Sequence, residues 1–340
     1  MLQITLDQPG KFSAGEGPVP VPAPGEALVR VHRIGVCGTD LHAFAGKQPF
    51  FNYPRILGHE LGVEVIDPGT EPHGLKAGDR CSVEPYLNCG KCIACRTGKP
   101  NCCTDLRVLG VHTDGGMRPM FCVPARKLHK SAKLSYDQLA LVETLGIGAH
   151  AVERADVKAE DFVLVIGAGP IGLSVIQFVL ARGAKLAVMD MSAARLEFCQ
   201  KQLGVVHAFS PGADVPAQLR ALGGGDLPTV VIDATGNPKS MAGTFDLPAH
   251  GGRIVFVGLF QGEVTFNDPN FHRRELTLLA SRNALPGTFR DIINLIEAGR
   301  VDTTPWITHR CTLADIPARF PEFAGNPAVI KTVIDVPASL

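Results

Sequence analysis

The stretch Phe162–Gly172 reads FVLVIGAGPIG, and it is followed by LSVIQFVLARG and then by LAVMD, which ends at Asp190. A continuous apolar run of this length is typical of a parallel strand buried on both faces. G-x-G-x-x-G between such a strand and a helix is the fingerprint of a dinucleotide-binding loop. The glycines allow a tight turn and let a pyrophosphate approach the helix N-terminus. We therefore predict an α/β fold with a doubly wound parallel sheet that binds a dinucleotide.

The chain downstream repeats the same alternation of strand and helix. The apolar segments VVHAFSP, TVVIDATGN, GGRIVFVGL and LTLLASRNA follow in turn, and ligands bind at the carboxyl ends of such strands. An acidic residue at Asp190 accepts hydrogen bonds from ribose hydroxyls and repels a 2′-phosphate, which favours NAD over NADP. The predicted cofactor contacts are Gly167, Gly169, Pro170, Gly172, Asp190, Thr235, Val257, Gly258, Leu259, Ser281, Arg282 and Asn283. Arg195 either contacts the adenosine or is a surface charge.

A second stretch, residues 35–60, collects side chains that bind metals. GVCGTDLHAFAGKQPFFNYPRILGHE contains Cys37, His42, His59 and Glu60. Thiol, imidazole and carboxylate are ligand types of zinc, and a catalytic zinc keeps three protein ligands and one open position. We predict that Cys37, His59 and a carboxylate form such a site, whereas the position of His42 suits a proton relay. Taken alone, the His59–Glu60 pair would fit a solvated strand end better than a metal site.

A later carboxylate competes for the same role. Glu143 lies in the apolar segment LALVETLGIGAHAV, where a carboxylate is costly unless it is paired or bound to metal. The alternative is an exposed residue at the end of a helix.

Four cysteines predict a second metal site. Cys89, Cys92, Cys95 and Cys103 form C-x2-C-x2-C-x7-C in a segment rich in Gly, Lys and Asn. Four thiolates at this spacing satisfy a closed tetrahedral zinc, which would hold a loop that has little core of its own. Cys102 adjoins Cys103, and the spacing alone leaves either as the fourth ligand.

Composition narrows the class of protein. The 340 residues suffice for two domains, and 33 basic against 33 acidic side chains give no electrostatic case for nucleic acid or a membrane surface. The N-terminal MLQITLDQPGKF has no signal-peptide pattern, and no apolar run is long enough to cross a membrane. Closely spaced cysteines in such a chain bind metal more often than they form disulfides. We expect a cytoplasmic protein.

Together, these motifs resemble the zinc-dependent medium-chain dehydrogenase family over essentially the whole chain. The resemblance rests on GVCGTDLH, GHE, the four-cysteine segment, GAGPIG, Asp190 and the closing strand in AVIKTVIDV. It implies a GroES-like β catalytic domain at residues 1–148 and 286–340, with a structural zinc lobe at about 85–105. It also implies a Rossmann NAD-binding domain at residues 149–285, with the active site between the domains.

The resemblance also implies roles for individual residues. Thr39 and His42 match a hydroxyl–imidazole proton relay, Ile171 and Arg195 match cofactor contacts, and Cys103 rather than Cys102 matches the structural site. Glu60 matches the third ligand, beside Cys37 and His59, of sorbitol-dehydrogenase-like members. Glu143 matches a glutamate that those members place at the metal or at its bound water. The choice between the two carboxylates stays open.

The predicted activity is hydride transfer from a secondary alcohol of a polyol or sugar acid to NAD, assisted by zinc. Ala43 replaces a Tyr of sorbitol dehydrogenases, while Arg118 and Arg282 could pair with a substrate carboxylate. The alternatives are an L-threonine-type amino alcohol dehydrogenase and a non-catalytic nucleotide-binding scaffold with structural zinc only. The resemblance implies a homodimer or homotetramer.

Overall fold

The computed structural model describes residues 1–48 and 51–337, so residues 338–340 of the predicted catalytic domain lie outside the described part. The chain divides into two compact units. Unit 1 comprises Met1–Thr144 and Leu285–Leu340, and unit 2 comprises Leu145–Ala284. The sequence analysis predicted the domain boundaries a few residues further along the chain, after residues 148 and 285.

The elements of the first part of the chain are β1 (Leu2–Gln8), β2 (Lys11–Glu16), β3 (Glu26–Gly35), α1 (Gly38–Phe44), β4 (Glu60–Asp67), β5 (Arg80–Val83), β6 (Tyr86–Leu87), α2 (Ile93–Arg96), β7 (Arg107–Val108), β8 (Met120–Pro124), β9 (Leu128–Lys130) and α3 (Tyr136–Arg154). The following elements are β10 (Phe162–Ile166), α4 (Pro170–Ala181), β11 (Lys185–Met189), α5 (Ala193–Leu203), β12 (His207–Phe209), α6 (Val215–Leu222), β13 (Val230–Asp233), α7 (Pro238–Gly243), β14 (Arg253–Phe256), α8 (Asp268–Arg273) and β15 (Thr277–Ala280). The chain closes with α9 (Pro286–Glu297), β16 (Ile307–Thr312), α10 (Ile316–Phe323) and β17 (Lys331–Asp335).

The main sheet of unit 1 is built around β3. Its seven strands run in the order β16–β17–β3–β4–β5–β9, and β8 also pairs with β3. The buried residues Ala27, Val29 and Val31 of β3 contribute to the apolar core, as expected for a strand that covers a core with alternate side chains. The last strand, β17, pairs antiparallel with β3, which is the return of the chain end that the sequence predicted.

The packing of α3 against this sheet depends on a close contact between backbone atoms. A Cβ atom at Gly62 would lie 2.2 Å from the carbonyl oxygen of Tyr136, so no larger residue fits between β4 and the start of α3. This contact matters for function, because β4 begins with Glu60 and α3 carries Glu143.

Unit 2 is the predicted doubly wound parallel sheet. Six strands run in the order β12–β11–β10–β13–β14–β15, all paired in parallel. Every residue of β10 is buried, as expected for a central strand covered on both faces. The sheet therefore gathers the ends of β10, β11, β13, β14 and β15 along one edge, where ligands of such folds bind.

The amino ends of the same strands are linked by a partly buried ion pair. Asp161 accepts hydrogen bonds from Arg253 Nη2 (2.6 Å) and from the Thr229 hydroxyl (2.6 Å). Burial alone would raise the pKa of Asp161, but these hydrogen bonds and the Arg253 charge outweigh it and lower the pKa. The ionised carboxylate therefore links β10, β13 and β14.

Within the described residues, none of the helices combines the length and the apolar composition that crossing a membrane requires.

Candidate active site

The predicted catalytic ligands come together at one end of the β3–β4 pair. Gly35 lies opposite Glu60 in the register, so the residue that precedes α1, Cys37, approaches His59 and Glu60. One ligand atom from each of these three residues lies within 4.8 Å of the other two. Sulfur, imidazole nitrogen and carboxylate oxygen are donors that zinc accepts.

The surroundings of His59 favour a bound cation. His59 Nδ1 and Asp40 Oδ1 are buried, without hydrogen-bond partners, and 3.8 Å apart. Burial alone would lower the pKa of His59, but the charges of Asp40 and Cys37 outweigh it and raise the pKa well above its usual value. The same negative charges attract a divalent cation, and a carboxylate behind a ligand histidine orients its ring. The donor set therefore fits zinc.

Glu60 is held by a lysine from the end of the chain. Lys331 Nζ donates to Glu60 Oε1 (2.7 Å) and Oε2 (2.8 Å), and also to the Val36 carbonyl and the Thr144 hydroxyl. Burial would raise the pKa of Glu60, but the charge of Lys331 outweighs it and the pKa is lowered. A carboxylate has about four lone-pair sites, so Glu60 can accept from Lys331 and still offer an oxygen to a metal.

Glu143 is also buried, but it has a different partner. The Tyr86 hydroxyl donates to Glu143 Oε1 at 2.5 Å. Burial raises the pKa of Glu143. The charge of His59 lowers this pKa and the charge of Glu60 raises it, and the overall shift is upward. Within residues 1–48 and 51–337, the compact metal-ligating set contains Glu60 and not Glu143.

The four predicted structural ligands form the second group. One sulfur atom from each of Cys89, Cys92, Cys95 and Cys103 lies within 4.8 Å of the other three. The backbone amide of Cys95 lowers the pKa of Cys92 to about 5, which favours the thiolate that binds metal. Cys102 is exposed and lies outside the group. All ten cysteines are free thiols, and the donor set fits a closed zinc site.

The predicted relay residues lie on α1. Thr39 is half-buried and His42 is exposed, and residues three apart on a helix share a face. The helix begins after Cys37, whose backbone amide donates to Asp40 Oδ2 at 2.9 Å. Cys37 is thus the N-cap residue, and Asp40 caps the helix from inside its first turn.

Arg118 does not join the metal group. Its Nε donates to the Gly115 carbonyl at 3.0 Å, and its guanidinium lies 5.7 Å from the centre of the Phe121 ring. The charges that act on it are those of Asp114 and Cys122. These contacts hold Arg118 at the turn of Gly115, and its pairing with a substrate carboxylate stays a prediction.

In unit 2 the predicted cofactor residues lie at the carboxyl edge of the sheet. Gly169 precedes α4 with open space around its Cα, whereas a Cβ at Gly172 would lie 1.8 Å from a carbonyl oxygen. Asp190 Oδ2 accepts from the Ala168 amide at 2.6 Å, and Arg195 donates to the Ala168 carbonyl at 3.1 Å. The loop is thus held open in front of the helix N-terminus, as a pyrophosphate requires.

The remaining predicted contacts follow the ends of neighbouring strands or the start of α4. Thr235 is tied to Asp233 by its amide and its hydroxyl, and Asn283 has a positive φ of 54°. Leu259 is 83% exposed. The others at this edge are Gly167, Pro170, Ile171, Val257, Gly258, Ser281 and Arg282.

Three residues of the site were missed by the sequence reasoning. Asp40 and Lys331 are buried charges that face the ligands, and Tyr86 is a buried phenol. A lysine inside the apolar segment AVIKTVIDV was a usable signal. Nothing in the sequence near Tyr86 pairs it with Glu143.

The comparisons with known proteins agree with this geometry. Residues 23–133 match the family described as alcohol dehydrogenase GroES-like domain, and residues 170–298 match the family described as zinc-binding dehydrogenase. The chain is 41% identical over 337 residues to L-galactonate-5-dehydrogenase of Escherichia coli (strain K12), covering 98% of each chain. It is 31% identical to 2-dehydro-3-deoxy-L-galactonate 5-dehydrogenase of Pseudoalteromonas atlantica, covering 95% of each.

A solved structure gives the same result. The protein described as short chain alcohol dehydrogenase (rspB) from E. coli CFT073, complexed with NADH, matches with a TM-score of 0.90 and 29% identity. The match covers 98% of this chain and 99% of that one. The paired family matches, the extent of these alignments and the two zinc-type donor sets lead to one conclusion: the chain belongs to the family of zinc-binding alcohol dehydrogenases with a GroES-like domain.

Proposed function

We propose that the protein oxidises a secondary alcohol of a sugar acid or polyol and passes the hydride to NAD, with zinc as Lewis acid. The observation that carries the proposal is the compact set of Cys37, His59 and Glu60. The sugar-acid class is supported by the two relatives, one named for L-galactonate and one for 2-dehydro-3-deoxy-L-galactonate. A carboxylated, hydroxyl-rich chain is the substrate class these names share.

In this proposal Cys37, His59 and Glu60 hold the catalytic zinc, and the cysteines of the second group hold the structural one. When bound, the catalytic zinc supplies Lewis acidity that lowers the pKa of a substrate hydroxyl. Thr39, half-buried on α1, accepts the proton of that hydroxyl while passing its own to His42, which is exposed to solvent. Asp40, whose Oδ1 lies 3.8 Å from His59 Nδ1, adds a negative charge beside the imidazole.

Unit 2 would hold the cofactor. The pyrophosphate would lie at the N-terminus of α4 beside Gly169, and Asp190 would accept from the ribose hydroxyls, so that NAD rather than NADP is favoured. When bound, the nicotinamide supplies the hydride acceptor. The substrate carboxylate would pair with Arg282, which is exposed at the end of β15.

Two further points belong to the proposal. Cysteines that serve as free thiols and metal ligands support a cytoplasmic location. The family resemblance supports a homodimer or homotetramer, and the balanced charge supports a small-molecule partner rather than nucleic acid or a membrane.

The test is a screen for NAD reduction with L-galactonate, its uncharged polyol and L-threonine, with and without added zinc. We expect turnover of the acid that is lost in Cys37→Ser and kept in Cys122→Ser, because Cys122 lies outside both metal-ligating groups. Preference for L-threonine would overturn the substrate class. Full activity in protein shown to be free of metal would overturn the mechanism.

A further inference from the structure

The contact between Tyr86 and Glu143 has no role in the mechanism given above. Tyr86 is 2% exposed, and its hydroxyl donates to Glu143 Oε1 at 2.5 Å. Glu143 is 4% exposed, so water does not compete for that oxygen. A phenol carries one donor hydrogen, and here that hydrogen is committed to a carboxylate next to the metal-ligating set.

The ring of Tyr86 packs against a neighbouring aromatic ring. Phe289 of α9 contacts it edge-on, with ring centres 6.2 Å apart. Phe289 is in turn stacked on His129 at 4.9 Å, and His129 Nε2 lies 3.0 Å from Glu84 Oε2. Glu84 also accepts from the buried Lys127. A buried and fully partnered network of this kind is rigid, and it restrains the ring of Tyr86.

The two carboxylates near His59 are therefore held by different partners. Glu60 is bound through both oxygens by a cationic lysine and lies within the metal-ligating set. Glu143 is bound through one oxygen by a neutral phenol and lies outside it. Both carboxylates act electrostatically on His59 or its neighbours, so a cation at the site would attract either.

We propose that Tyr86 is a positioning residue that holds Glu143 out of the metal coordination and leaves Glu60 as the third protein ligand. The inference rests on the proposed catalytic zinc site. In this proposal, the neutral hydrogen bond from Tyr86 to Glu143 keeps the fourth coordination position open for substrate. Tyr86 lies outside every motif that the sequence analysis identified. Loss of the hydroxyl leaves Glu143 Oε1 buried without this donor, and a cation held by the neighbouring ligand set would compensate it.

The experiment uses the full-length protein with Co²⁺ in the catalytic site, and Cys37→Ser serves as the blank for Co²⁺ at the structural site. The visible absorption of Co²⁺ reports coordination number, and competition with a chelator gives the metal affinity. In Tyr86→Phe we expect Glu143 to join the three protein ligands and the water, so that the absorption band weakens as for a five-coordinate metal and the metal binds more tightly than in the wild type. The kcat should fall, because Glu143 then competes with the substrate hydroxyl for the metal.

The decisive comparison is the effect of Tyr86→Phe in a Glu143→Gln background. If Tyr86 acts through Glu143, the change in absorption and affinity disappears there. The matched control is Tyr136→Phe, which removes the hydroxyl of a tyrosine whose ring is stacked on His32 at 3.9 Å. Tyr136 is not part of the metal-ligating set. This control should leave both metal readouts unchanged.

The inference is overturned if Tyr86→Phe binds Co²⁺ with the wild-type spectrum and affinity, or if its effect persists in Glu143→Gln. A lower melting temperature with an unchanged spectrum would show a purely structural role, and would overturn it as well. Failure of the proposed function gives a different result from failure of this inference. In that case the wild-type protein itself would show no Co²⁺ signal that depends on Cys37.

Discussion

Replacing Lys331 by methionine tests whether the buried carboxylate Glu60 is ionised in the folded protein. Lys331 is 2% exposed and Glu60 is fully buried, and the closer Nζ–Oε distance is 2.7 Å. At an effective dielectric constant of about 20, unit charges at that distance attract by about 6 kcal/mol. Desolvation offsets part of this, and removing one partner of a buried pair costs about 3–5 kcal/mol.

We therefore expect Lys331→Met to lower the stability of metal-free unit 1 by about 3–5 kcal/mol. The assay is urea unfolding followed by the fluorescence of Trp306, because it is the one tryptophan of the chain and is completely buried in unit 1. With an m value of about 2–3 kcal/mol per molar urea, the midpoint should fall by about 1–2.5 M. Zinc should reduce the loss, because a bound metal compensates the charge of Glu60.

Two controls isolate the cause. Lys76→Met changes an exposed lysine of the same unit and should alter the stability by less than about 0.5 kcal/mol. Glu60→Gln combined with Lys331→Met removes both charges, and should recover most of the loss. A midpoint for Lys331→Met equal to that of Lys76→Met would refute the reasoning. So would a double variant that is as unstable as the single one.

Three further predictions follow from the site and the sheet. Cys103→Ser should lower the zinc content from about two to about one per chain, while Cys102→Ser at the exposed neighbour should keep both, measured by elemental analysis. Gly172→Ala should unfold or distort unit 2, since its Cβ would meet a carbonyl oxygen at 1.8 Å. Gly169→Ala should stay folded and weaken NAD binding, measured by calorimetric titration. Asp161→Asn should destabilise the protein near neutral pH. Hydrogen bonds that outweigh burial lower the pKa of Asp161 below its ordinary 3.8, so the difference from wild type should be complete above about pH 4 and shrink as pH falls further.

The parts of the site predicted from the sequence are those fixed by local chemistry. The loop Gly167–Gly172 needs glycine because backbone atoms of residues close together in the chain come into contact there. Its motif is therefore visible in one short segment. The same is true of the cysteines at 89, 92, 95 and 103, whose spacing already satisfies one metal. The four cysteine ligands, and Cys37 and His59 of the other site, therefore lie in short stretches that the sequence alone identifies.

The partners that hold the two carboxylates could not be predicted in this way. Lys331 is 271 residues from Glu60 in the chain, and Tyr86 is 57 residues from Glu143. These contacts depend on the pairing of β17 with β3 and on the packing of α3 against β4. The sequence thus left the third ligand undecided, since the groups that distinguish the carboxylates lie outside both motifs.

Substrate choice is undetermined by the motifs for a related reason. Ala43 on α1 is completely buried and offers no polar side chain, whereas sorbitol dehydrogenases are expected to carry a tyrosine there. The phenol that contacts this position comes from Tyr53, and its hydroxyl already donates to the Ala43 carbonyl at 2.6 Å. A hydroxyl-rich substrate therefore has to find its donors elsewhere. Specificity must then depend on side chains outside the zinc and glycine motifs, so the same motifs that identify the chemistry serve acids, polyols and amino alcohols alike.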